Sequence, residues 1–325
     1  MPPHELEYAV TTPSRKSFLS TVIVAVVLIA GLITFLFSAP SDFVPGTMIS
    51  VTSGDSIKQI AQELKEANVI RSSTFFNLAI QMSDNPIVAI GDYLFEKPQG
   101  ILTVASRLTS SQYGLPITQV TLTEGMTASE MAQKLATLFP KFDSLSFLKL
   151  AVPFEGRLFP DTYVFNQNAT AEDIFKKLRA TFDKKFAAIQ TEISNSPYTE
   201  EQIIIMASIV EKEATRDSRQ EVANILWNRF EIDMALQVDA SFVYAIGKST
   251  AELTKADLEK DGPYNTYKNL GLTPTAISNP GIDAILAAAH PKPTKNLYFL
   301  TGRDGEMYYA QSFEGHKRNR ALYLD

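Results

Sequence analysis

The 325-residue chain contains no cysteine and three histidines. The lack of cysteine excludes a disulfide framework, a thiol nucleophile, thiolate zinc sites and iron–sulfur ligation. Positive charge is in deficit: 30 Lys+Arg against 36 Asp+Glu leave a formal charge of −6. Nucleic acid is therefore not the expected partner, because phosphate binding draws on a Lys/Arg surplus. Glycine (15) and proline (17) are near ordinary usage, which argues against wholesale disorder. There is no Gly-rich phosphate loop, no G-x-S-x-G elbow and no H-E-x-x-H. Ser146-x-x-Lys149 lacks the companion motifs of a Ser/Lys acylase, and His290 and His316 lie far apart with no paired ligand near either. Neither a metal nor a cofactor is expected.

Long apolar runs are also missing, with one exception. From Ser17 to Ser41 no side chain is charged, and Phe18–Phe37 is almost wholly apolar. Twenty helical residues rise ~30 Å, the thickness of a bilayer's hydrocarbon core. Arg15 and Lys16 precede the run and Asp42 follows it, so the positive-inside rule puts residues 1–16 in the cytoplasm. A cleaved signal peptide is the alternative, with Phe37-Ser38-Ala39 as a loose cleavage site, but its apolar region spans only ~7–15 residues. The expectation is a cytoplasmic tail (1–16), a single transmembrane helix (17–38), a short linker (39–46) and everything beyond on the outer side. Glu5 and Glu7 cancel Arg15 and Lys16, so the whole −6 lies outside. A cysteine-free chain suits an oxidising space, where no thiol can misoxidise.

Two segments resemble each other: VTSGDSIKQIAQEL (51–64) and LTEGMTASEMAQKL (122–135). Each reads as a short strand, a Gly turn, a Ser or Thr cap and a helix, with Ile57, Ile60, Ala61, Leu64 matching Ala128, Met131, Ala132, Leu135. The first resembles the opening half of a LysM module, a βααβ fold that binds GlcNAc-containing glycans. Phe75–Gln81 can supply its second helix and Gly91–Phe95 its second strand, although the usual asparagine-rich second half is missing. Residues 47–113 are therefore expected to form a LysM-like module, and 114–325 a catalytic domain. Further on, 170–190 reads as a charged helix, and Thr199-x-x-Gln202 and Ser218-x-x-Glu221 read as capping boxes. Segments 296–301 and 306–310 flank Arg303-Asp304-Gly305, a hairpin signal, before a last helix near 312–323. Strands and helices segregated in this way predict an α+β fold.

Carboxylates are the remaining source of chemistry. In the helix Glu201–Ala214, Glu211 falls on the face of Ile204 and Ala207. Glu213 points elsewhere, and Lys212 reads as solvated. A carboxyl on an apolar face is costly to ionise, so its pKa rises toward that of a general acid. The alternative is a structural role, with Glu211 in a buried polar network or paired with an arginine such as Arg157. The segment Glu155–Phe165 packs Glu155, Arg157, Asp161, Thr162 and Tyr163 around Gly156 and Pro160. It reads equally as a cleft-lining loop or as a turn held by an Arg–Asp pair. Tyr264-Asn-Thr-Tyr267 and Ile277-Ser-Asn-Pro-Gly281 are residue types that stack on and hydrogen-bond sugars.

Six strings, in order, resemble the membrane-bound endolytic murein transglycosylases of the YceG-like family. They are EGRLFPDTYVF (155–165), ASIVEKEA (207–214), NRF with MALQVDASFVYAIG (228–247), GPYNTY (262–267), GLTPTAISNPGIDAILAAAHP (271–291) and LYFLTGRDGEMYYAQSFEGHKRN (297–319). The resemblance implies cleavage of the MurNAc-β-1,4-GlcNAc bond inside nascent glycan strands, leaving a 1,6-anhydro-MurNAc end. It also implies a bacterial cell-membrane enzyme that terminates strand elongation beside a peptidoglycan synthase. Its catalytic glutamate maps onto Glu211. Glu155, Asp161, Tyr163, Asp239, Asn265, Tyr267 and Asn279 are the expected substrate-binding residues. Two strings depart from the family pattern: Gln237-Val-Asp-Ala-Ser replaces Gln-Ser/Thr-Asp-Pro-Thr, and Gly315-His316-Lys317 replaces Glu-His-Asn. A lysozyme-type hydrolase on the same scaffold and a non-catalytic, membrane-anchored cell-wall binder are the rival readings.

Overall fold

The computed structural model describes residues 15–247, 252 and 254–324, and the chain divides into two units, 1–116 and 117–325. Apart from Arg15 and Lys16, the expected cytoplasmic tail lies outside the described residues.

The first unit opens with helix α1, Arg15–Phe37. Among the described residues no helix is long and apolar enough to cross a membrane. The end of α1 is anchored: Phe37 packs on Phe75 with ring centroids 5.0 Å apart, and the Arg71 guanidinium lies 4.2 Å from the Phe35 ring centre. Strand β1 (Thr47–Val51), helices α2 (Ile57–Glu66) and α3 (Ser73–Gln81), and strand β2 (Gly91–Phe95) follow, then α4 (Ile101–Thr109). The two strands pair antiparallel with Ile49 opposite Tyr93. Ser56 and Gln59 close a reciprocal capping box that fixes the start of α2. The core gathers Ile49, Val51, Leu64, Phe76, Ile80, Tyr93 and Phe95.

The second unit begins by repeating that order: strand β3 (Ile117–Thr121), helices α5 (Ala128–Ala136) and α6 (Ser144–Ala151), and strand β4 (Thr162–Asn166), antiparallel to β3 with Thr121 opposite Thr162. The sequence near-repeat is thus a repeat of structure. Thr127 and Glu130 form the capping box of α5 as Ser56 and Gln59 do in α2, and Gly54 and Gly125 occupy the same left-handed turn position, φ 99° and 78°. Met131, Leu135, Phe147, Tyr163 and Phe165 fill this part of the core, closed by helix α7 (Ala171–Ala187).

A helical layer comes next: α8 (Gln190–Ser194), α9 (Glu200–Glu213), α10 (Arg219–Glu231), α11 (Asp239–Ile246), α12 (Lys255–Leu258) and α13 (Ile282–Ala289). Every residue from Ile203 to Val210 is buried, so α9 has no solvent face there and packs as a central helix. It lies against α10 and α13, and the Trp227 indole N–H donates to Ala288 O at 2.9 Å. Strands β5 (Tyr298–Thr301) and β6 (Met307–Ala310) form the expected hairpin before helix α14 (Phe313–Tyr323). Separate two-stranded antiparallel sheets among many helices make the fold α+β. One expected cap does not form. Ser218 stands in helical geometry and donates its hydroxyl to Thr215 O (3.0 Å) instead of accepting from the first turn of α10, while Glu221 accepts from Asn296 Nδ2 (3.2 Å).

Candidate active site

The Thr199–Gln202 capping box fixes where α9 starts, and the buried run after it delivers Glu211 in the helix's last turn. That end of a helix carries the negative pole of its dipole, a poor place for a carboxylate. The Glu211 side chain is 5% exposed. Its Oε2 accepts the Gly281 N–H at 3.1 Å, and its Oε1 pairs with Arg219 Nη2. The same Nη2 lies 3.4 Å from Glu124 Oε2. Burial raises the Glu211 pKa, against the Gly281 N–H and Arg219, and the charges of Glu124 and Asp283 push in the direction of burial. The cationic partner of Glu211 is thus Arg219, while Arg157 pairs with Glu200 (2.5 Å) and Glu201 (2.8 Å) and holds the start of α9.

The loop before α13 is tied to α9 through serines. Ile277 N–H donates to Ser208 Oγ and Ser278 Oγ donates to Ser208 O, both at 3.0 Å. Asn279 then crosses to the β3–α5 loop: its N–H donates to Met126 O and its carbonyl accepts from Gly125 N, both at 2.9 Å. Its side chain accepts from Gly156 N (2.9 Å) and Leu158 N (2.8 Å) and donates to Glu155 Oε1 (2.6 Å). Glu155 is buried and also accepts the Ala128 N–H at the start of α5 (3.1 Å). Burial pushes its pKa to about 7, against the bonds from Ala128, Asn279 and Tyr244. Glu155 lines a cleft of about 530 Å3 with Tyr244, Tyr264 and Asn265. A second opening of about 430 Å3 shares Ser129 and Tyr244 with it and reaches Lys212, next to Glu211. Glu211 itself is not among the side chains lining either opening.

The other expected site residues fall in different places. Asp239 opens α11 and accepts the Tyr267 hydroxyl at 2.6 Å. Asn265 is buried; its amide donates to Leu258 O and Lys260 O, and its oxygen accepts the Tyr267 N–H. Asp161 is exposed and closes its own turn on Thr162 N. Tyr163 is a core residue, with its hydroxyl donating to Phe159 O at 2.6 Å. No Arg157–Asp161 pair holds this segment.

Glu213 does not simply face away from the chemistry. It accepts the Ala240 N–H at 3.3 Å, and burial, aided by Asp239, raises its pKa to about 7. Ala240 stands where the family pattern has proline, which has no N–H to give. The sequence reading also missed Arg219, Glu124 and Tyr244. Glu124 was visible only as part of the repeated strand–Gly turn. Arg219 sat between the two residues of the expected Ser218–Glu221 cap and carried no signal of its own.

The buried glutamate at the end of a central helix and the N–H that opens a second helix fall in two of the six resembling strings, ASIVEKEA and GLTPTAISNPGIDAILAAAHP, while the arginine from a third helix lies outside them. The YceG-like family pattern matches residues 49–321. The chain belongs to the YceG-like family. An endolytic murein transglycosylase of Bacillus subtilis is 31% identical over 304 residues, covering 85% of this chain and 84% of the relative. One from Streptococcus pneumoniae is 26% identical over 320 residues, and the match covers 58% of that protein. A crystal structure of a YceG-like protein from Listeria monocytogenes superposes with a TM-score of 0.58 at 28% identity, covering 84% of this chain and 98% of that one. Glu211, Asn279 and Gly281 all lie inside the region matched to the YceG-like family.

Proposed function

We propose that this chain is an endolytic murein transglycosylase with Glu211 as its acid and base. The observation that carries the assignment is the setting of Glu211, a carboxyl 5% exposed whose pKa burial raises. The family membership and the names of the relatives supply the substrate, a peptidoglycan glycan strand. Glu211 as the acid gives its proton to the glycosidic oxygen, and the MurNAc C1–O bond breaks. The C6 hydroxyl of the same sugar then bonds to C1 and passes its proton to the Glu211 carboxylate, which restores the acid and leaves a 1,6-anhydro end. One carboxyl suffices because the nucleophile is tethered in the substrate, whereas a retaining or inverting hydrolase uses two. Glu155 and Tyr244 on the cleft wall, and the Asp239–Tyr267 pair, are the groups that would orient the strand.

The apolar run 17–38 would hold the enzyme in the cell membrane with its N-terminus in the cytoplasm, so that it meets strands near where a synthase extends them. The βααβ order of residues 47–95 supports a LysM-like role in glycan contact.

The test is cleavage of uncrosslinked nascent glycan by the purified full-length protein, with products read by mass spectrometry. Glu211→Gln is expected to lower cleavage by about 10²–10⁴-fold, and wild-type product is expected to end in the anhydro sugar. Unchanged cleavage by Glu211→Gln would remove the acid from its role. A product heavier by one water would make the enzyme a hydrolase.

A further inference from the structure

Arg219 makes unusual use of its guanidinium. The side chain is 9% exposed, yet Nε and Nη1 are buried without a hydrogen-bond partner. A single nitrogen, Nη2, faces both Glu211 Oε1 and Glu124 Oε2. Arginine holding one carboxylate for structure normally does so as a two-nitrogen fork, and leaving buried donors unpaired is costly. Arg219 is also the first residue of α10, where the helix dipole disfavours a cation. Each of these features weakens a fixed pair and suits a residue with two alternative partners.

We propose that Arg219 is a positioning residue that passes its Nη2 hydrogen bond between Glu211 and Glu124, and so sets whether Glu211 stands as carboxylate or as acid. The inference rests on the reading of Glu211 as the acid and base. With Arg219 on Glu211, the ionised form is favoured. With Arg219 on Glu124, Glu211 keeps only the Gly281 N–H, and its burial favours uptake of a proton from water. The reaction needs these states in turn: the acid for departure of the leaving oxygen, then the carboxylate to receive the C6 hydroxyl proton.

The surroundings fit the exchange. Glu124 lies in the β3–α5 loop with its side chain about half exposed, free to follow the cation. A Cβ at Gly281 would collide with the Glu124 carboxylate, so the missing side chain there is what lets Glu124 reach the pair. The other charged groups facing Glu211 are already engaged. Asp283 in the first turn of α13 pairs with Arg216, and the ammonium of Lys212 on α9 donates to Gly125 O.

The experiment is the pH dependence of strand cleavage, whose alkaline fall follows loss of the Glu211 proton. Glu124→Gln removes the second partner and leaves Arg219 on Glu211, so the fall is expected about one pH unit lower. Arg219→Gln should move it about one unit higher, and Arg219→Lys should return it toward wild type. Mere relief of repulsion between Glu124 and Glu211 in Glu124→Gln would lower the fall equally whether or not Arg219 is present. Exchange predicts that the Glu124→Gln shift largely disappears in the Arg219→Gln background. An undiminished shift there, or no shift in Glu124→Gln alone, overturns the proposal. Should Arg219→Gln not fold, Gly281→Ala decides: it displaces the Glu124 carboxylate without changing charge, and a fall left at the wild-type pH overturns the exchange. Glu211→Gln separates the two ideas, because retained cleavage there removes the acid reading itself, whereas its loss with an unmoved Glu124→Gln profile removes only the exchange.

Discussion

Glu155 and Glu213 are carboxyls held near neutrality by burial, each pushed from 4.5 to about 7. A carboxyl whose folded pKa is raised contributes its stability below the unfolded value and loses it as pH rises through the folded one. Thermal unfolding followed by circular dichroism should therefore show Tm falling between about pH 5 and pH 8. Glu155→Gln is expected to flatten that fall, because an amide carries no charge to desolvate. The Glu155 contribution is on the order of 3 kcal/mol, or roughly 6–12 °C in a unit of this size. A slope in Glu155→Gln equal to that of wild type would show that the burial of this carboxyl is not what sets it. At this scale the sequence places Glu211 on a buried-looking face and offers an arginine partner, with Arg157 as its example, and the arginine that pairs with it is Arg219. Nothing in the local pattern distinguishes Arg157 from Arg219, which a turn between two helices brings to Glu211.

Among the elements, the loop from Gly156 to Leu158 is the most exacting joint. Gly156 has φ 86°, and a Cβ there would stand 2.5 Å from Ala276 Cβ and 2.8 Å from Ile204 Cγ2. Gly156→Ala combines left-handed strain with overpacking against α9, and should destabilise by about 3 kcal/mol in denaturant unfolding. It should also lower cleavage, since the Gly156 and Leu158 N–H groups hold Asn279, which crosses to the loop carrying Glu124. A loss below about 1 kcal/mol would mean that the joint yields freely. The caps of α2, α5 and α9 and the Gly turns were legible here, unlike that of α10, because a cap or a turn is decided within three or four residues. The burial of α9 on every side was less so: the amphipathic reading assumed a solvent face, and tertiary packing by α10 and α13 removed it. That is why Glu213, read as pointing away, lies in a second buried cluster with Asp239.

For the whole molecule, each of the two units carries its own core, and the βααβ order appears once in each. The apolar run before the first unit gives a direct prediction. Full-length protein should co-sediment with lipid vesicles through repeated salt washes, and a chain beginning at residue 39 should stay in the supernatant. Sedimentation of the shortened chain would shift the attachment to the folded units.

Composition and near neighbours along the chain are enough for the uncharged stretch at 17–38, the absence of thiol chemistry, the repeated strand–turn–helix pattern, the terminal hairpin and a glutamate on a buried helix face. Which groups meet that glutamate follows from packing across the fold. Gly281 N–H is 70 residues from Glu211, and Arg219 and Glu124 are 95 apart. Glu155 finds Asn279 across 124 residues. No periodicity or spacing encodes such pairs, because they follow from how α9, α10, α13 and the second βααβ unit pack, and that packing is fixed by the sum of many apolar contacts.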